Sequence, residues 1–374
     1  MSGPTIHAAV WRTRGEPMAV EPVTLRDLGP RDVLLKVTAA NACVTDAIVL
    51  APDVPAMFGN VAPQIFGHGA VGIIEKVGSH VTATAPGDRV IASANPLCRT
   101  CYYCLRGRPD QCADIVLHGP PNGSLADGQD VVPNGNIGGY AEYAIVPDNQ
   151  ITPVHTSVPD DELALLADGI GGGVAAAFNV APVQAGSEVA VFGCGSTGLG
   201  YVQAARVLRA KRIIAVDPHA HRREMAVELG ATDTVDPADG DVVAQVQELT
   251  DDVGGFIPRG VDYAFEASAN ARGMEEAWHA TRSAGHTILA SMPWKLDDTI
   301  SLPSVPAAIF GRTLHSSQWG HMNILRDLPR FVRLIEDGDV QVAPLISGHF
   351  ALGELDAVLE QVAAHQVYGA IMTP

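Results

Sequence analysis

The chain has 374 residues and a mass of 39.2 kDa, a length that at roughly 150 residues per domain predicts two domains. Its composition, 47% hydrophobic and 18% charged, is typical of an ordinary globular protein and excludes a disordered or fibrous one. The formal charge is 24 basic minus 42 acidic residues, or −18, which opposes binding to a phosphate backbone, so nucleic acid is not an expected partner.

Two stretches bear on targeting and membranes. Arg12, Arg14 and Glu16 interrupt the region where a secretory signal would need apolar residues. The most apolar stretch, 163–183, is broken by Asp168 and a run of glycines, which does not fit a membrane-spanning helix. We therefore expect a cytoplasmic protein with no membrane partner.

The first 150 residues carry short apolar runs separated by glycine and proline. The pattern predicts strands at 33–37, 72–77, 89–92 and 140–146. A β-rich, Greek-key or barrel-like region with long loops is the expected architecture.

Four of the six cysteines lie close together in this region, in the pattern C-x2-C-x2-C-x7-C. They are Cys98, Cys101, Cys104 and Cys112. Four thiolates can complete a tetrahedral zinc shell, and a shell with no open position is typical of a structural site. Two disulfides or an iron–sulfur cluster are the alternatives, which a cytosolic location and the ligand preferences of these groups make less favourable.

Strand and helix patterns alternate from residue 188 onwards. Strands are predicted at 188–192, 212–216, 233–235, 261–266 and 286–290, with helices at 197–210, 222–229, 242–249 and 270–282. Such βαβ repetition predicts a doubly wound parallel sheet over 169–311. Helices are also predicted at 328–336 and 355–364, and we expect 312–374 to rejoin 1–168 in the first domain.

The predicted strand 188–192 leads into V-A-V-F-G-C-G-S-T-G, a G-x-G-x-x-G motif that opens a helix. Gly193 would permit the tight turn, Gly195 the approach of a pyrophosphate, and Gly198 close helix packing. Ser196 and Thr197 begin the helix, whose N-terminus attracts negative charge. This context favours a dinucleotide site over a simple glycine-rich turn.

Asp217 ends the next predicted strand, at the place where a carboxylate accepts hydrogen bonds from the adenosine ribose. Its charge would repel a 2′-phosphate, so NAD is favoured over NADP. Arg222 and Arg223 lie nearby and weaken this preference, and Arg222 is itself a candidate cofactor-binding residue.

These motifs, with A-C-V-T-D-A around Cys43 and F-G-H-G-A-V-G around His68, resemble the medium-chain, zinc-dependent alcohol dehydrogenases. The resemblance extends over essentially the whole chain. It implies an α/β protein in which a β-rich, GroES-like catalytic domain is joined to a Rossmann domain. It also implies that Cys43 and His68 are ligands of a catalytic zinc, that Thr45 takes the proton of the alcohol, and that Asp46 orients His68.

Asp168 occupies the position of the family's third zinc ligand, which is usually a cysteine. Zinc accepts aspartate oxygen, and the ligand set would keep two anions and a neutral imidazole. The alternative is that Asp168 is a helix N-cap and that the catalytic site is empty.

The function implied by the resemblance is hydride transfer between an alcohol and its aldehyde or ketone and NAD(H), at a cleft between the two domains. It implies one structural and one catalytic zinc ion per chain. Two other interpretations stay open: a biosynthetic reductase of an activated C=C or C=N bond with an altered or absent catalytic zinc, and a catalytically silent NAD-binding relative. A homodimer or homotetramer is expected, with 286–290 and 291–302 as candidates for the sheet edge that pairs.

The sequence departs from the family at four places. Gly69 replaces a glutamate, Ile48 replaces a histidine that relays the proton, and Val44 replaces a cationic residue near the pyrophosphate. The Tyr368–Gly369 pair stands where an arginine is common. Weaker cofactor binding is expected unless other groups compensate.

The substrate itself is not encoded in any motif. The shape of its pocket depends on loops around five residues: Phe58, Leu117, Ile137, Trp294 and Trp319.

Overall fold

The structure is a computed structural model that describes residues 3–51, 62–116, 118–293, 295 and 297–374. The chain forms two compact units. The first comprises Met1–Asp168, Asn323–Asp337 and Val342–Pro374, and the second comprises Gly169–Met322 and Gly338–Gln341. Three residues expected near the substrate pocket, Phe58, Leu117 and Trp294, lie outside the described residues.

The first unit is mostly β-structure. Its strands, numbered along the whole chain, are β1 (Thr5–Trp11), β2 (Ala19–Leu25), β3 (Asp32–Ala42), β4 (Gln64–Ile65), β5 (Gly69–Val77), β6 (Arg89–Ser93), β7 (Gly123–Leu125), β8 (Asp130–Pro133), β9 (Tyr143–Pro147), β10 (Ile151–Pro153), β17 (Ile346–Phe350) and β18 (Gly369–Met372). Its helices are α1 (Val44–Leu50), α2 (Asp160–Leu166), α9 (Ile324–Glu336) and α10 (Leu355–Ala363).

These strands form a closed barrel and a larger sheet. The barrel has the order β1-β2-β7-β8-β4, and the sheet has the order β10-β6-β5-β3-β18-β17, with β9 paired to β3. The long strand β3 pairs antiparallel with β5, β9 and β18, so that it links most of the unit. The β-rich architecture expected from the short apolar runs is confirmed.

The second unit alternates strands and helices. Its strands are β11 (Glu188–Phe192), β12 (Arg212–Val216), β13 (Asp233–Val235), β14 (Val261–Glu266), β15 (Thr281–Leu289) and β16 (Thr313–Ser316). Its helices are α3 (Gly169–Asn179), α4 (Ser196–Val207), α5 (Ala220–Glu228), α6 (Val242–Leu249), α7 (Ala271–Ala280) and α8 (Ser304–Ile309). All neighbouring strands run parallel, in the order β13-β12-β11-β14-β15-β16.

Burial explains why this sheet forms. All five residues of β11 are buried, as expected for a strand covered on both faces by helices. Phe192, Val216 and Val246 belong to one continuous core cluster. The glycine run in α3 serves close helix packing, because a Cβ at Gly173 would lie 2.2 Å from the carbonyl oxygen of Thr197 in α4.

Two expectations about this unit need correction. The predicted strand 286–290 is not the edge of the sheet: it forms part of β15, which lies between β14 and β16. The chain returns after α8 as one more parallel strand, whose short sequence T-L-H-S lacks an apolar run. The second unit therefore extends past the predicted boundary at 311, and 312–322 and 338–341 belong to it instead of to the first unit.

The predicted strand 140–146 also begins later, at Tyr143. Tyr140 instead bonds to two different segments: its amide donates to the carbonyl of Phe66, and its carbonyl accepts from the amide of Ala9. Within the described part of the chain, the structure contains no helix that is long and apolar enough to cross a membrane.

Candidate metal centres and dinucleotide site

Cys43 is fixed by the start of helix α1. It is the N-cap, with extended backbone angles, and its Sγ accepts a hydrogen bond of 3.4 Å from the amide of Thr45. The Asp46 carboxylate accepts from the amide of Cys43 at 3.3 Å, which completes a capping box. The local sequence C-V-T-D therefore sets the position of the thiol, and Thr45 lies half-buried in the first turn of the helix.

His68 precedes strand β5 and is oriented by Asp46. Its Nδ1 lies 3.1 Å from Asp46 Oδ1, and both side chains are buried. With Nδ1 as the donor, the lone pair of Nε2 is free to bind a metal ion. This is the role that the family resemblance implies for Asp46.

Asp168 lies between helices α2 and α3 with its carboxylate directed at the same place. Its Oδ2 accepts a hydrogen bond of 3.2 Å from Asn41 Nδ2 and lies 3.4 Å from His68 Nε2. The residue is 8% exposed. These contacts favour a metal ligand over a helix cap.

One ligand atom from each of Cys43, His68 and Asp168 lies within 4.8 Å of the others. Tetrahedral zinc with bonds of about 2.0–2.3 Å separates its ligand atoms by about 3.3–3.8 Å, so small side-chain shifts would close the site. The sulfur, nitrogen and oxygen donors together form a set that zinc accepts. The residues therefore fit a zinc ion.

The electrostatics of the cluster favour a cation. Burial and the Asp168 carboxylate raise the pKa of the Cys43 thiol to about 11. Burial alone would lower the pKa of His68, but Asp46 and Asp168 raise it well above its ordinary value. Burial alone would raise the pKa of Asp168, and His68 reverses this and lowers it. Positive charge among these three groups is thus stabilised.

Two further residues of this site are not evident from the sequence. The hydroxyl of Tyr140 donates to Asp46 Oδ2 at 2.6 Å and lies 3.1 Å from the carbonyl oxygen of Asn41, and Tyr140 is fully buried. The Asn41 side chain donates to Asp168. Neither Tyr140, in the sequence G-Y-A-E-Y, nor Asn41 belongs to one of the motifs from which the site was predicted.

The four cysteines of the second cluster, Cys98, Cys101, Cys104 and Cys112, also converge, with their sulfur atoms within 4.8 Å of one another. All are free thiols, which does not support the disulfide alternative. Amides of the turn donate to the sulfurs, from Cys101 to Cys98 at 3.3 Å and from Cys104 to Cys101 at 3.4 Å. The amides of Cys104 and Ala113 lower the pKa of Cys101 to about 6. Burial raises the pKa of Cys104 and raises that of Cys112 to about 12, so the thiolate form is favoured at only part of the cluster. Four sulfur donors in a closed group fit a structural zinc site.

In the second unit, the three glycines of the fingerprint differ in their steric surroundings. Gly193 has φ +87°, and a Cβ there would lie 2.6 Å from the carbonyl oxygen of Ala267. A Cβ on Gly198 would lie 1.8 Å from the carbonyl oxygen of Gly193, so this glycine allows α4 to pack against the turn. A Cβ on Gly195 would have one near neighbour, Arg222 Nη1 at 3.7 Å. Gly195 is the N-cap of α4, so space beside the helix N-terminus stays open.

Asp217 follows strand β12 and is 2% exposed. Its Oδ2 accepts from the amide of Cys194 at 2.8 Å, and its Oδ1 accepts from the amide of His219 at 2.8 Å. Ser196 and Thr197 form the first turn of α4, and Arg222 lies in α5. The structure thus places the predicted dinucleotide-binding residues around one turn at the carboxyl end of the sheet.

Comparison with known proteins agrees with this arrangement of sites. The model of the alcohol dehydrogenase GroES-like domain matches residues 29–160, and the model of the zinc-binding dehydrogenase domain matches residues 196–337. The chain belongs to the zinc-dependent medium-chain alcohol dehydrogenase family. It is an oxidoreductase of the alcohol dehydrogenase type, with a GroES-like domain and a parallel-sheet domain.

Individual members of this family match nearly the whole chain. S-(hydroxymethyl)glutathione dehydrogenase of Escherichia coli O6:H1 is 29% identical over 357 residues, which is 93% of this chain and 94% of that protein. The structure of an alcohol dehydrogenase zinc-binding domain protein from Burkholderia ambifaria superposes with a TM-score of 0.90 at 27% identity, covering 99% of both chains. The structure of benzyl alcohol dehydrogenase from Acinetobacter calcoaceticus superposes with a TM-score of 0.88 at 27% identity, again over 99% of both chains.

Proposed function

We propose that this chain is an NAD-dependent alcohol dehydrogenase with two zinc ions, which interconverts an alcohol and its aldehyde or ketone. The observation that carries the proposal is the cluster of Cys43, His68 and Asp168, because three different donors converge where the family holds its catalytic metal. Zinc bound there would supply a Lewis acid, and the dinucleotide would supply the hydride acceptor or donor.

The residues around the cluster have complementary roles in this proposal. Thr45, in the first turn of α1, takes the proton of the alcohol hydroxyl at its Oγ1. Asp46 keeps His68 in the tautomer that leaves Nε2 as a ligand, and Tyr140 and Asn41 in turn hold the two carboxylates. A water molecule or a ribose hydroxyl carries the proton onward, since Ile48 has no titratable group.

The four-cysteine cluster is proposed to hold the second zinc ion. All four of its protein ligands come from residues 98–112, so no position is left for a substrate. Its role in this proposal is to keep that loop rigid.

NAD is the proposed coenzyme. Asp217 presents a buried carboxylate at the end of β12, the place at which an acidic residue binds the adenosine ribose. A 2′-phosphate at that carboxylate would meet like charge. Gly195 and the N-terminus of α4 are proposed to bind the pyrophosphate, with Arg222 as the nearest cation.

Turnover of an alcohol panel tests this proposal. Primary, secondary and benzylic alcohols, together with the adduct of formaldehyde and glutathione, are mixed with NAD⁺ or NADP⁺ and followed at the NADH absorbance band. We expect NADH formation with at least one alcohol and faster turnover with NAD⁺. Dinucleotide binding without turnover of any member would instead support a catalytically silent relative, and turnover only of C=C or C=N substrates would support a reductase.

We also propose that the protein is a homodimer or homotetramer. Strand β16 is one of the two edges of the parallel sheet, and Leu314 on it is 38% exposed. Val305 and Ile309 in the preceding helix α8 are 57% and 62% exposed. An unpaired edge strand beside exposed apolar residues favours pairing with a second copy. Leu314→Lys should lower the mass measured by light scattering, and an unchanged mass would exclude this edge as the interface.

A further inference from the structure

Glu266 is a fully buried carboxylate with no function assigned so far. It is the last residue of β14, and its exposed fraction is 0%. The ion pairs found among the described residues include none with Glu266. Because a buried charge without a counter-ion is costly, such a residue needs a compensating set of hydrogen bonds.

That set comes from two loops. Oε1 of Glu266 accepts from the amide and from the hydroxyl of Ser268, both at 2.6 Å. Oε2 accepts from the hydroxyl of Ser291 at 2.7 Å. Ser268 belongs to the loop after β14, whereas Ser291 belongs to the loop after β15. Glu266 thus joins the loops that follow two neighbouring parallel strands.

All of these hydrogen bonds are donated by the loops and accepted by the Glu266 carboxylate. The amide of Ala269 donates to the Ser291 hydroxyl at 3.0 Å, and Asn270 Nδ2 donates to the Ser268 hydroxyl at 2.9 Å. Each serine hydroxyl therefore accepts one hydrogen bond and donates one to Glu266. A group that faces three donors acts as an acceptor at both oxygens, which is the property of an ionised carboxylate. Burial raises the pKa of Glu266, and the serine bonds oppose that increase.

The first of these loops also packs against the fingerprint turn. The amide of Ala267 donates to the carbonyl of Phe192 at 2.7 Å. A Cβ on Gly193 would lie 2.6 Å from the carbonyl oxygen of Ala267 and 2.8 Å from Ser268 Cα. Any displacement of the loop after β14 would therefore also shift the fingerprint turn, where the dinucleotide is proposed to bind.

We propose that Glu266 is a positioning residue for the coenzyme, which holds the loops after β14 and β15 in the conformation that binds the nicotinamide half of the dinucleotide. The inference rests on the proposed function, because it requires a dinucleotide at the fingerprint.

The order of the strands in the sheet indicates which half of the dinucleotide lies near Glu266. Asp217, which is proposed to bind the adenosine ribose, follows β12, and the fingerprint follows β11. Strands β14 and β15 lie on the other side of β11 from β12. A dinucleotide that crosses the fingerprint turn from the adenosine side therefore places its nicotinamide half at the ends of β14 and β15.

Two ligands separate this role from general stabilisation of the fold. The dissociation constants of NADH and of ADP-ribose, which lacks the nicotinamide ring, are measured for the wild type, Glu266→Gln and Ser291→Ala. Glu228→Gln is the matched control, because Glu228 is an exposed residue at the end of α5. Zinc content and the thermal midpoint are recorded for each variant.

We expect Glu266→Gln to weaken NADH binding about tenfold and ADP-ribose binding less than about twofold, since the hydrogen bonds lost lie on the nicotinamide side. Ser291→Ala should weaken NADH binding about threefold, and Glu228→Gln should leave both constants unchanged. If Glu266→Gln does not fold, Ser291→Ala carries the same comparison.

Equal weakening of both ligands, or no weakening of NADH, would overturn the inference while the proposed function stands. Failure of the wild type to bind either ligand would refute the dinucleotide site itself, and the inference would fall with it.

Discussion

Asp168 Oδ2 lies 3.4 Å from His68 Nε2, and the residue that follows His68 is a glycine, Gly69. A Cβ on Gly69 would lie 3.4 Å from Asp168 Cβ. A glutamate at 69, as is usual in the family, would add a second carboxylate beside Asp168 and repel it. Gly69 thus avoids this repulsion and leaves Asp168 as the carboxylate that lies beside His68 Nε2.

Tyr140→Phe should weaken metal binding without altering the ligands. The substitution keeps the ring but removes the hydroxyl that donates to Asp46 at 2.6 Å, so Asp46 orients His68 less firmly. Loss of such a supporting bond typically lowers metal affinity about 10- to 100-fold. Competition with a chelator measures this, with Tyr143→Phe as the control, and equal zinc loss from both variants would contradict the role given to Tyr140.

Gly195→Ala should weaken NADH binding without destabilising the fold, whereas Gly198→Ala should destabilise the fold. Gly195 has φ −75° and open space around a Cβ, so the alanine variant should fold normally yet bind NADH at least about tenfold more weakly. An alanine at 198 meets the carbonyl of Gly193 at 1.8 Å, which should cost about 2 kcal/mol or more of unfolding free energy. Thermal melting and NADH titration distinguish the two, and a stable Gly198→Ala variant would refute this account of helix packing.

The pair His286 and His315 should make stability depend on pH. Their Nδ1 and Nε2 atoms lie 3.0 Å apart, and burial lowers the pKa of both below 6.5. Asp262 opposes the shift at His286, whereas His286 and His321 add to it at His315. Unfolding therefore takes up protons, so the stabilisation is present above the ordinary pKa and is lost as the pH falls through the lowered values.

His315→Gln tests this dependence. Between about pH 7.5 and pH 5.5, the thermal midpoint of the wild type should fall further than that of the variant, which lacks one of the two titrating groups. The same decrease in both proteins would show that the pair does not contribute.

Cys101→Ser should remove the zinc ion of the four-cysteine cluster. A structural zinc stabilises its loop directly, so a lower thermal midpoint and the loss of one zinc equivalent are expected. Cys194→Ala is the control, because Cys194 is buried in the fingerprint and belongs to neither cluster. If Cys101→Ser retains its full zinc content, the cluster does not hold the metal.

Local patterns made much of this molecule predictable. The bounds of β11, β12, β13, β14 and α6 agree with the sequence. All of these except the short β13, with the sequence D-T-V, are apolar or amphipathic runs. The fingerprint glycines and the four cysteines are close in sequence, so their spacing alone predicts their chemistry.

Features that depend on distant pairings were not predictable. Asn41 and Asp168 are 127 residues apart, and Tyr140 and Asp46 are 94 apart, and no local pattern links either pair. The edge strand β16 has a polar, exposed sequence that only its pairing with β15 defines as a strand. Its identity follows from the tertiary fold and not from periodicity.

Zinc stoichiometry tests the central claim most directly. Freshly purified wild-type protein should contain two zinc equivalents per chain, and Asp168→Ala should contain one, which the additional Cys101→Ser substitution removes. A wild-type protein with a single zinc, or an Asp168→Ala variant that retains both, would contradict a catalytic metal held by Cys43, His68 and Asp168.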